Sequence, residues 1–367
     1  MKSRIIANYG GMILRNLKLI PLIILILLVA SCSPVKQTTK SFYYWKSNFN
    51  LQNEDLSTLQ KLQIKRLYIR FFDVKWDPTY NAPLPTPAIS FQTPVPNDIV
   101  LIPTIYITNE TINNCPSGQL TALAQNIVKK VRQIQMNNQL PPFPEIQLDC
   151  DWTKNNHEKY FTLLKRIRNE LDNWSAEEQL TTIELSATIR LHQIKYPKQT
   201  GIPPVTKGVL MCYNLGHPGQ AGIKNSILTY DTAVTYLNRV LKQYPLQLDV
   251  ALPIYSWGAV FQSERYTGLI NNVTINSLVN NPNFKRINDN TFIAVKNTYL
   301  NQSYIYKNDR IRIDESDYKE VLKTAKFIKK NLNNKHPATN VIIYHFDSEL
   351  IRRFSYEKLQ TIFNSIN

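Results

Sequence analysis

The sequence predicts an α/β protein: a (β/α)8 TIM-type barrel with a small strand-rich insertion between strand 7 and its helix. Three observations carry that expectation. Eight strand-like runs alternate with helical patterns across residues 42–367, the signature of a parallel sheet with helical crossovers. No strand is followed by a Gly-x-Gly-x-x-Gly turn, which disfavours the runner-up, a doubly wound open sheet. The third is the segment 145–153. Period 2 puts Ile146, Leu148, Cys150 and Trp152 on one face and Glu145, Gln147, Asp149, Asp151 and Thr153 on the other. Asp is depleted in strands, so two on one strand face need a reason. The exposed side of an antiparallel sheet would supply one. The inner wall of a parallel barrel, where carboxylates gather at the C-terminal strand ends, supplies another.

The elements follow in order. Strand 1 is expected at 42–48 and a short helix at 51–62. Strand 2 is expected at 65–75, and the six prolines between Pro78 and Pro96 mark a loop. Strand 3 falls at 98–107 and an amphipathic helix at 120–136. Strand 4 is 145–152, and the helix at 155–171 carries Tyr160, Leu163, Leu164 and Ile167 on one face. Strand 5 is expected at 181–191, strand 6 at 208–213, a helix at 231–244 and strand 7 at 248–255. The rhythm breaks over 258–314, where Asn- and Thr-rich turns surround two strand-like runs, 291–295 and 303–306. A helix at 316–331, strand 8 at 340–346 and a closing helix at 356–366 complete the pattern.

The chain has 367 residues, 43% hydrophobic and 19% charged, with a formal charge of +16, enough to bury a large core. Its first residues stand apart from that core. Lys2, Arg4, Arg15 and Lys18 flank an apolar run at 19–30, too short to span a bilayer comfortably. Val29-Ala-Ser-Cys32 follows, giving a secretory signal with a small-residue cleavage site. This motif resembles a bacterial lipoprotein box. The resemblance implies cleavage before Cys32 and a diacylglyceryl thioether on its sulfur. A signal anchor with an incidental Cys is the alternative, and Met12 is a candidate true start. Expected organisation is a signal peptide at 1–31, a lipidated tether at 32–41 and a barrel at 42–367 with its insertion at 258–314. The expected location is the bacterial cell envelope, with the outer membrane favoured and the lipid making the membrane contact.

Losing residues 1–31 removes four basic and no acidic residues, leaving about +12, which suits an anionic membrane face or an acidic glycan. The basic residues are scattered, and neither a zinc spacing, a helix-turn-helix nor a basic–aromatic stripe points to nucleic acid. Cys115, Cys150 and Cys212 imply no disulfide framework. His192, His345 and Asp347 have no recognised ligand spacing, so neither a metal nor another cofactor is expected.

Several strand ends carry polar or aromatic residues where a barrel would bring them together. Strand 2 supplies Arg70 and Asp73, strand 4 Asp149 and Asp151, and strand 5 Arg190 and His192. Strand 6 ends in Tyr213-Asn214, strand 7 in Tyr255-Ser-Trp257, and strand 8 in Tyr344-His-Phe-Asp347. Carboxylates hydrogen-bond hydroxyls and flat rings stack on pyranose faces, so the set suits a sugar. Each member also has a plainer role. Tyr213 and Tyr255 would serve as core tyrosines, Trp257 as a cover for a helix end, and His345 as a satisfied core histidine. Arg70 would serve as the cation that keeps Asp149 or Asp151 ionised, because two buried carboxylates raise one another's pKa.

Strand 4 resembles the catalytic strand of glycoside hydrolase family 18, Asp-x-x-Asp-x-Asp-x-Glu, often with Trp before the Glu. Asp149, Asp151 and Trp152 match it. Met211-x-Tyr213-Asn214 is similar to that family's Met-x-Tyr-Asp, and Pro253-Ile-Tyr255 to its Pro-x-Tyr. Tyr344 stands where the family has a floor Trp, and the family's chitinase-type members carry an insertion where 258–314 lies. The resemblance implies catalytic roles for Asp149 and Asp151. It implies ligand-binding roles for Trp152, Tyr213, Asn214, Tyr255 and Tyr344, and the strand-end positions of Arg70, Asp73, Trp257, His345 and Asp347 make them further ligand-binding candidates.

The departures matter as much. Thr153 stands at the Glu position, Ile146 at the first Asp and Asn214 at the Asp of Tyr-Asp. Family members protonate the glycosidic oxygen with that Glu while the substrate's acetamido group attacks. A Thr hydroxyl cannot deliver the proton near neutral pH, and general acid help is worth roughly 10²–10⁴-fold. Three readings remain open. The first is a barrel that binds N-acetylhexosamine-containing glycans with little or no turnover. The second is a hydrolase with another acid, from Asp149, Asp347 or Glu349. The third is a structural envelope lipoprotein without a sugar ligand.

Overall fold

A computed structural model describes residues 38–366 apart from Ala221, Asn334, His336 and Pro337. The expected signal segment, Cys32 and most of the tether lie outside the described residues. Among the described residues no helix is long and apolar enough to cross a membrane.

Eight parallel strands close on themselves: β1 (Thr39–Tyr44), β2 (Arg66–Asp77), β3 (Val100–Ile107), β4 (Glu145–Asp149), β5 (Glu184–Arg190), β6 (Lys207–Met211), β7 (Leu248–Pro253) and β8 (Asn340–Tyr344). Each pairs with its sequence neighbours, and β1 closes the ring by pairing with β8 (Thr39 opposite Asn340) and with β2 (Ser41 opposite Arg66). Helices such as Leu120–Asn137 and His157–Glu177 pack outside with their apolar faces inward. The fold is the (β/α)8 barrel that the alternating pattern predicts.

The barrel interior is polar in layers, which explains the polar face of strand 4. At the N-terminal end the Lys207 ammonium lies 2.8 Å from Glu145 and 3.1 Å from Asp249, with Arg66 3.6 Å from Glu145. Asp249 also accepts from the backbone N–H groups of Thr339 and Asn340, each at 2.8 Å. One layer up, Gln147 accepts from the Tyr43 hydroxyl at 2.7 Å and from Thr104 at 3.4 Å, and donates to Ser186 at 3.4 Å. Asp149 forms the layer at the C-terminal mouth. Glu145, Gln147 and Asp149 are all buried, with Ile146 and Leu148 on the opposite face against the helices.

Several boundaries differ from the sequence expectation. β1 starts three residues early because Thr39, Lys40 and Ser41 read as polar, yet Ser41 is buried on the inner face of the barrel and Lys40 on the helix side, where its ammonium reaches Gln63 at 3.4 Å. The proline-rich stretch holds two short strands. Ala82–Pro85 pairs antiparallel along β2 only, an edge position where Pro83 and Pro85 need donate nothing, and Ser90–Phe91 pairs with Asn48–Phe49. The helix expected at 231–244 stops at Leu237, and Arg239 takes a positive φ of 66° before a turn of 3₁₀ helix.

The insertion is richer than two strands. Ser256–Gln262, Arg265–Asn271, Arg310–Glu315, Thr291–Ala294 and Phe284–Arg286 form a five-stranded sheet, antiparallel throughout, and Thr298–Leu300 pairs with Ser303–Ile305 as a separate hairpin. It has its own small core around Leu278, Phe292, Ile305 and Ile311. Arg265–Asn271 escapes sequence reading because it is mostly exposed and carries Gly268 mid-strand, which blunts its alternation.

Candidate functional site

A cleft of about 270 Å³ opens at the C-terminal mouth of the barrel. β2 shapes one wall through a bulge. Arg70 pairs with Thr104 and Phe72 with Ile105, leaving Phe71 as an extra residue. Residues three apart on a regular strand face opposite sides. The bulge shifts the parity, so Arg70 and Asp73 both line the cleft while Phe71 and Phe72 are buried. The Arg70 guanidinium grips Asp73 through both oxygens, with Nε 2.6 Å from Oδ1 and Nη2 on Oδ2. This hydrogen bonding holds the Arg70 proton more tightly than usual.

Register carries the site across the neighbouring strands. Asp73 stands opposite Tyr106 on β3, and Tyr106 opposite Asp149 on β4. Asp149 is buried and accepts from the Thr188 hydroxyl of β5 at 2.7 Å. Burial first, and then the nearby charge of Asp151, push its carboxyl up to about 7. Burial likewise pushes the Tyr106 hydroxyl up to about 12. Asp151 lies just past the end of β4, its side chain 45% exposed, with the Arg190 Nε 3.3 Å away. Arg190 also donates to the Asn214 carbonyl at 3.0 Å, tying the loop after β6 to the end of β5.

The remaining walls are aromatic. Tyr213 stacks on Tyr344, rings 4.9 Å apart and inclined by 29°, and Tyr43 and Trp45 stand 5.7 and 5.8 Å from Tyr344. The Tyr213 hydroxyl is buried with no hydrogen-bond partner among the described residues. Asn214 adopts a left-handed backbone with φ 54° and accepts from the Tyr255 hydroxyl at 2.5 Å. Beyond Arg190 the cleft continues into a second cavity of about 170 Å³, which shares Asp151, Arg190, Tyr213 and Asn214 and adds His192 and Tyr236. Burial lowers the His192 pKa.

Of the residues singled out in the sequence, Arg70, Asp73, Asp149, Asp151, Arg190, Tyr213, Asn214 and Tyr344 line this strand-end cleft. The others stand elsewhere. Trp152 is a correction: it is fully buried on the helix side, stacks on Tyr160 at 5.2 Å and donates to the Thr200 carbonyl at 2.8 Å. Its place on the apolar face of strand 4 decides this. Tyr255 acts behind the cleft wall, through Asn214. Trp257 belongs to the insertion and donates to Ser226 at 3.2 Å. His345 is half-buried and does not line the cleft, and desolvation lowers its pKa. Asp347 caps the helix Ser348–Phe354 and pairs with Lys46 at 3.2 Å. Thr153 is exposed, outside the cleft lining, and occupied in a turn where its N–H donates to Asn156 at 2.7 Å.

Sequence reasoning missed Tyr43, Trp45 and Tyr106, and named Arg190 only at a strand end and Met211 only within a motif; all five line the cleft. Period 2 along strand 1 (Ser41, Tyr43, Trp45) and strand 3 (Thr104, Tyr106) holds the signal for the aromatic three. Among the described residues no group of three or more His, Cys, Asp or Glu side chains is disposed to hold a metal ion.

The fold and cleft define a (β/α)8 barrel with carboxylates, paired arginines and stacked rings at its strand ends. No protein-family model matches the chain, and no curated protein matches it in sequence. Solved structures match its fold. A class V chitinase from Nicotiana tobaccum superposes with a TM-score of 0.53 at 12% identity, over 90% of this chain and 99% of that one. A glycoside hydrolase family 18 N-acetylglucosaminidase from Paenibacillus barengoltzii gives 0.53 at 12%, over 90% and 100%. A chitinase-like agglutinin from Robinia pseudoacacia gives 0.52 at 11%, over 89% and 99%. At these identities the likeness establishes the barrel architecture.

Proposed function

We propose that this protein binds N-acetylhexosamine-containing glycans in the strand-end cleft with little or no turnover, held at a bacterial cell envelope by a lipid on Cys32. The observation that carries the reading is the state of the cleft carboxyls. Asp73 is clasped by Arg70 and Asp151 is paired with Arg190, so neither carboxylate stands free of a cation. The Thr153 side chain is turned into a loop. A glycosidase needs a proton donor at the scissile oxygen and a second group acting on the sugar. A binding site needs only stacking rings and a polar floor, which Tyr344, Trp45, Tyr106 and Asp149 supply. The likeness in fold extends to a chitinase-like agglutinin as well as to chitinases, which fits either behaviour.

One observation favours a second reading. A carboxyl held up to about 7 carries a proton near neutral pH, as a general acid must, and Asp149 is such a group. Calorimetry against N-acetylglucosamine oligomers, run beside a reducing-end assay, separates the readings. Binding heat without sugar release supports the lectin-like barrel. Release that disappears in both Asp149→Asn and Asp151→Asn supports the hydrolase. Neither heat nor release across a broad glycan panel leaves a structural lipoprotein.

A further inference from the structure

Half of the large apolar side chains exposed among the described residues belong to the insertion, and three are tyrosines on one short hairpin. Tyr299, Tyr304 and Tyr306 are 68%, 42% and 54% exposed. Tyr299 and Tyr304 are a cross-strand pair with rings 5.1 Å apart, and Tyr306, two residues on along the same face, lies 4.9 Å from Tyr304. No group among the described residues hydrogen-bonds any of the three hydroxyls.

The hairpin presenting these rings is firmly built. Its other face buries Leu300 and Ile305 in the insertion core. Asn301 and Gln302 both take positive φ, 43° and 69°, as a two-residue type I′ turn requires. Asn301 donates to the Asn271 carbonyl at 2.9 Å, Asn283 to Thr298 at 2.8 Å, and Asn297 accepts from the Lys307 N–H at 2.8 Å. Cross-strand aromatic contact would stabilise a hairpin by itself, but it accounts only for the Tyr299–Tyr304 pair. Tyr306 lies beyond the paired residues and still joins the cluster on the solvent side.

We propose that this tyrosine face is a second carbohydrate-binding site, a platform that holds the protein on an insoluble polysaccharide. Rings with wet hydroxyls suit a partner that is both apolar and hydrogen-bonding, and the face of a pyranose is such a partner. Lys296, Gln302 and Lys307, exposed and close in sequence to the three tyrosines, offer further donors for sugar hydroxyls. Packing the rings together before binding lowers the ordering cost of capture. The choice of an N-acetylhexosamine polymer rests on the reading of the cleft; the site itself does not.

The test is retention of the full-length protein on insoluble chitin and on isolated peptidoglycan, compared with calorimetry of a soluble N-acetylglucosamine tetramer. Tyr306→Ser, which spares the cross-strand pair, and Tyr299→Thr/Tyr304→Thr, which keep strand-forming residues, are the variants. Retention should fall roughly tenfold, with tetramer affinity unchanged. Unaltered retention in both variants, or no retention of the wild type, overturns the proposal. Loss of binding to vesicles of anionic phospholipid, or of self-association, in the same variants with polysaccharide retention intact would assign the face to a membrane or a second copy instead. Tyrosine-dependent retention without any tetramer heat would leave this site standing and overturn the cleft.

Discussion

Asp149 is the residue on which the chemistry of the cleft turns. Its carboxyl is pushed from an ordinary 3.8 to about 7, chiefly because burial disfavours the charged form. In the unfolded chain the same group ionises near its ordinary value. Folding therefore takes up a proton between those limits, and the group's contribution to stability is intact below about pH 4 and lost as pH rises towards 7. Asp149→Asn removes that loss while keeping an acceptor for Thr188. Urea melts at pH 5 and pH 8 should show the variant gaining on the wild type by about 1 to 4 kcal/mol at the higher pH. A variant with the pH dependence of the wild type would refute the assignment. Trp152 shows what one sequence leaves ambiguous. Its motif neighbours point to the cleft, whereas its strand parity points to the helices, and parity prevailed because a fully buried indole must pack.

At the scale of elements, the bulge in β2 decides which side chains meet. Arg70 and Asp73 would face opposite sides of a regular strand, and nothing in their residue types marks Phe71 as the extra residue. A double-mutant cycle with Arg70→Met and Asp73→Asn tests the geometry. Arg70→Met leaves buried Asp73 only the longer contact with Lys75 at 3.8 Å, so it should cost about 3–5 kcal/mol, with Asp73→Asn restoring part of it. Additive effects would mean that the two groups do not meet. The strands were legible where apolar and polar residues alternate, as in strand 4. They were misjudged where buried strand residues are polar, as at Lys40 and Ser41, and where a strand is exposed, as in the insertion. The same polar core yields a third prediction. Lys207→Met strands Asp249 without its cation and leaves Glu145 only Arg66 at 3.6 Å; it should lower stability at pH 7 by about 3–5 kcal/mol, less at low pH, where Glu145, its carboxyl raised by burial, can protonate. A uniform loss across pH would show that the network matters only for packing.

For the whole molecule, closure of eight strands converts scattered strand-end residues into one cleft. Strand alternation and the absence of a Gly-x-Gly-x-x-Gly turn were enough to predict that closure. The aromatic walls were not read in full, because Tyr43, Trp45 and Tyr106 look like ordinary strand residues until the barrel aims them inward. The account's central claim is that this cleft holds an N-acetylhexosamine oligosaccharide without cutting it. The most direct measurement is a crystal structure grown after prolonged incubation with an N-acetylglucosamine tetramer. The account predicts an intact chain lying against Tyr344, Trp45 and Tyr106, with a polar group of one sugar within hydrogen-bond distance of Asp149 or Asp151. An empty cleft at saturating sugar, or a shortened product in it, would contradict the account.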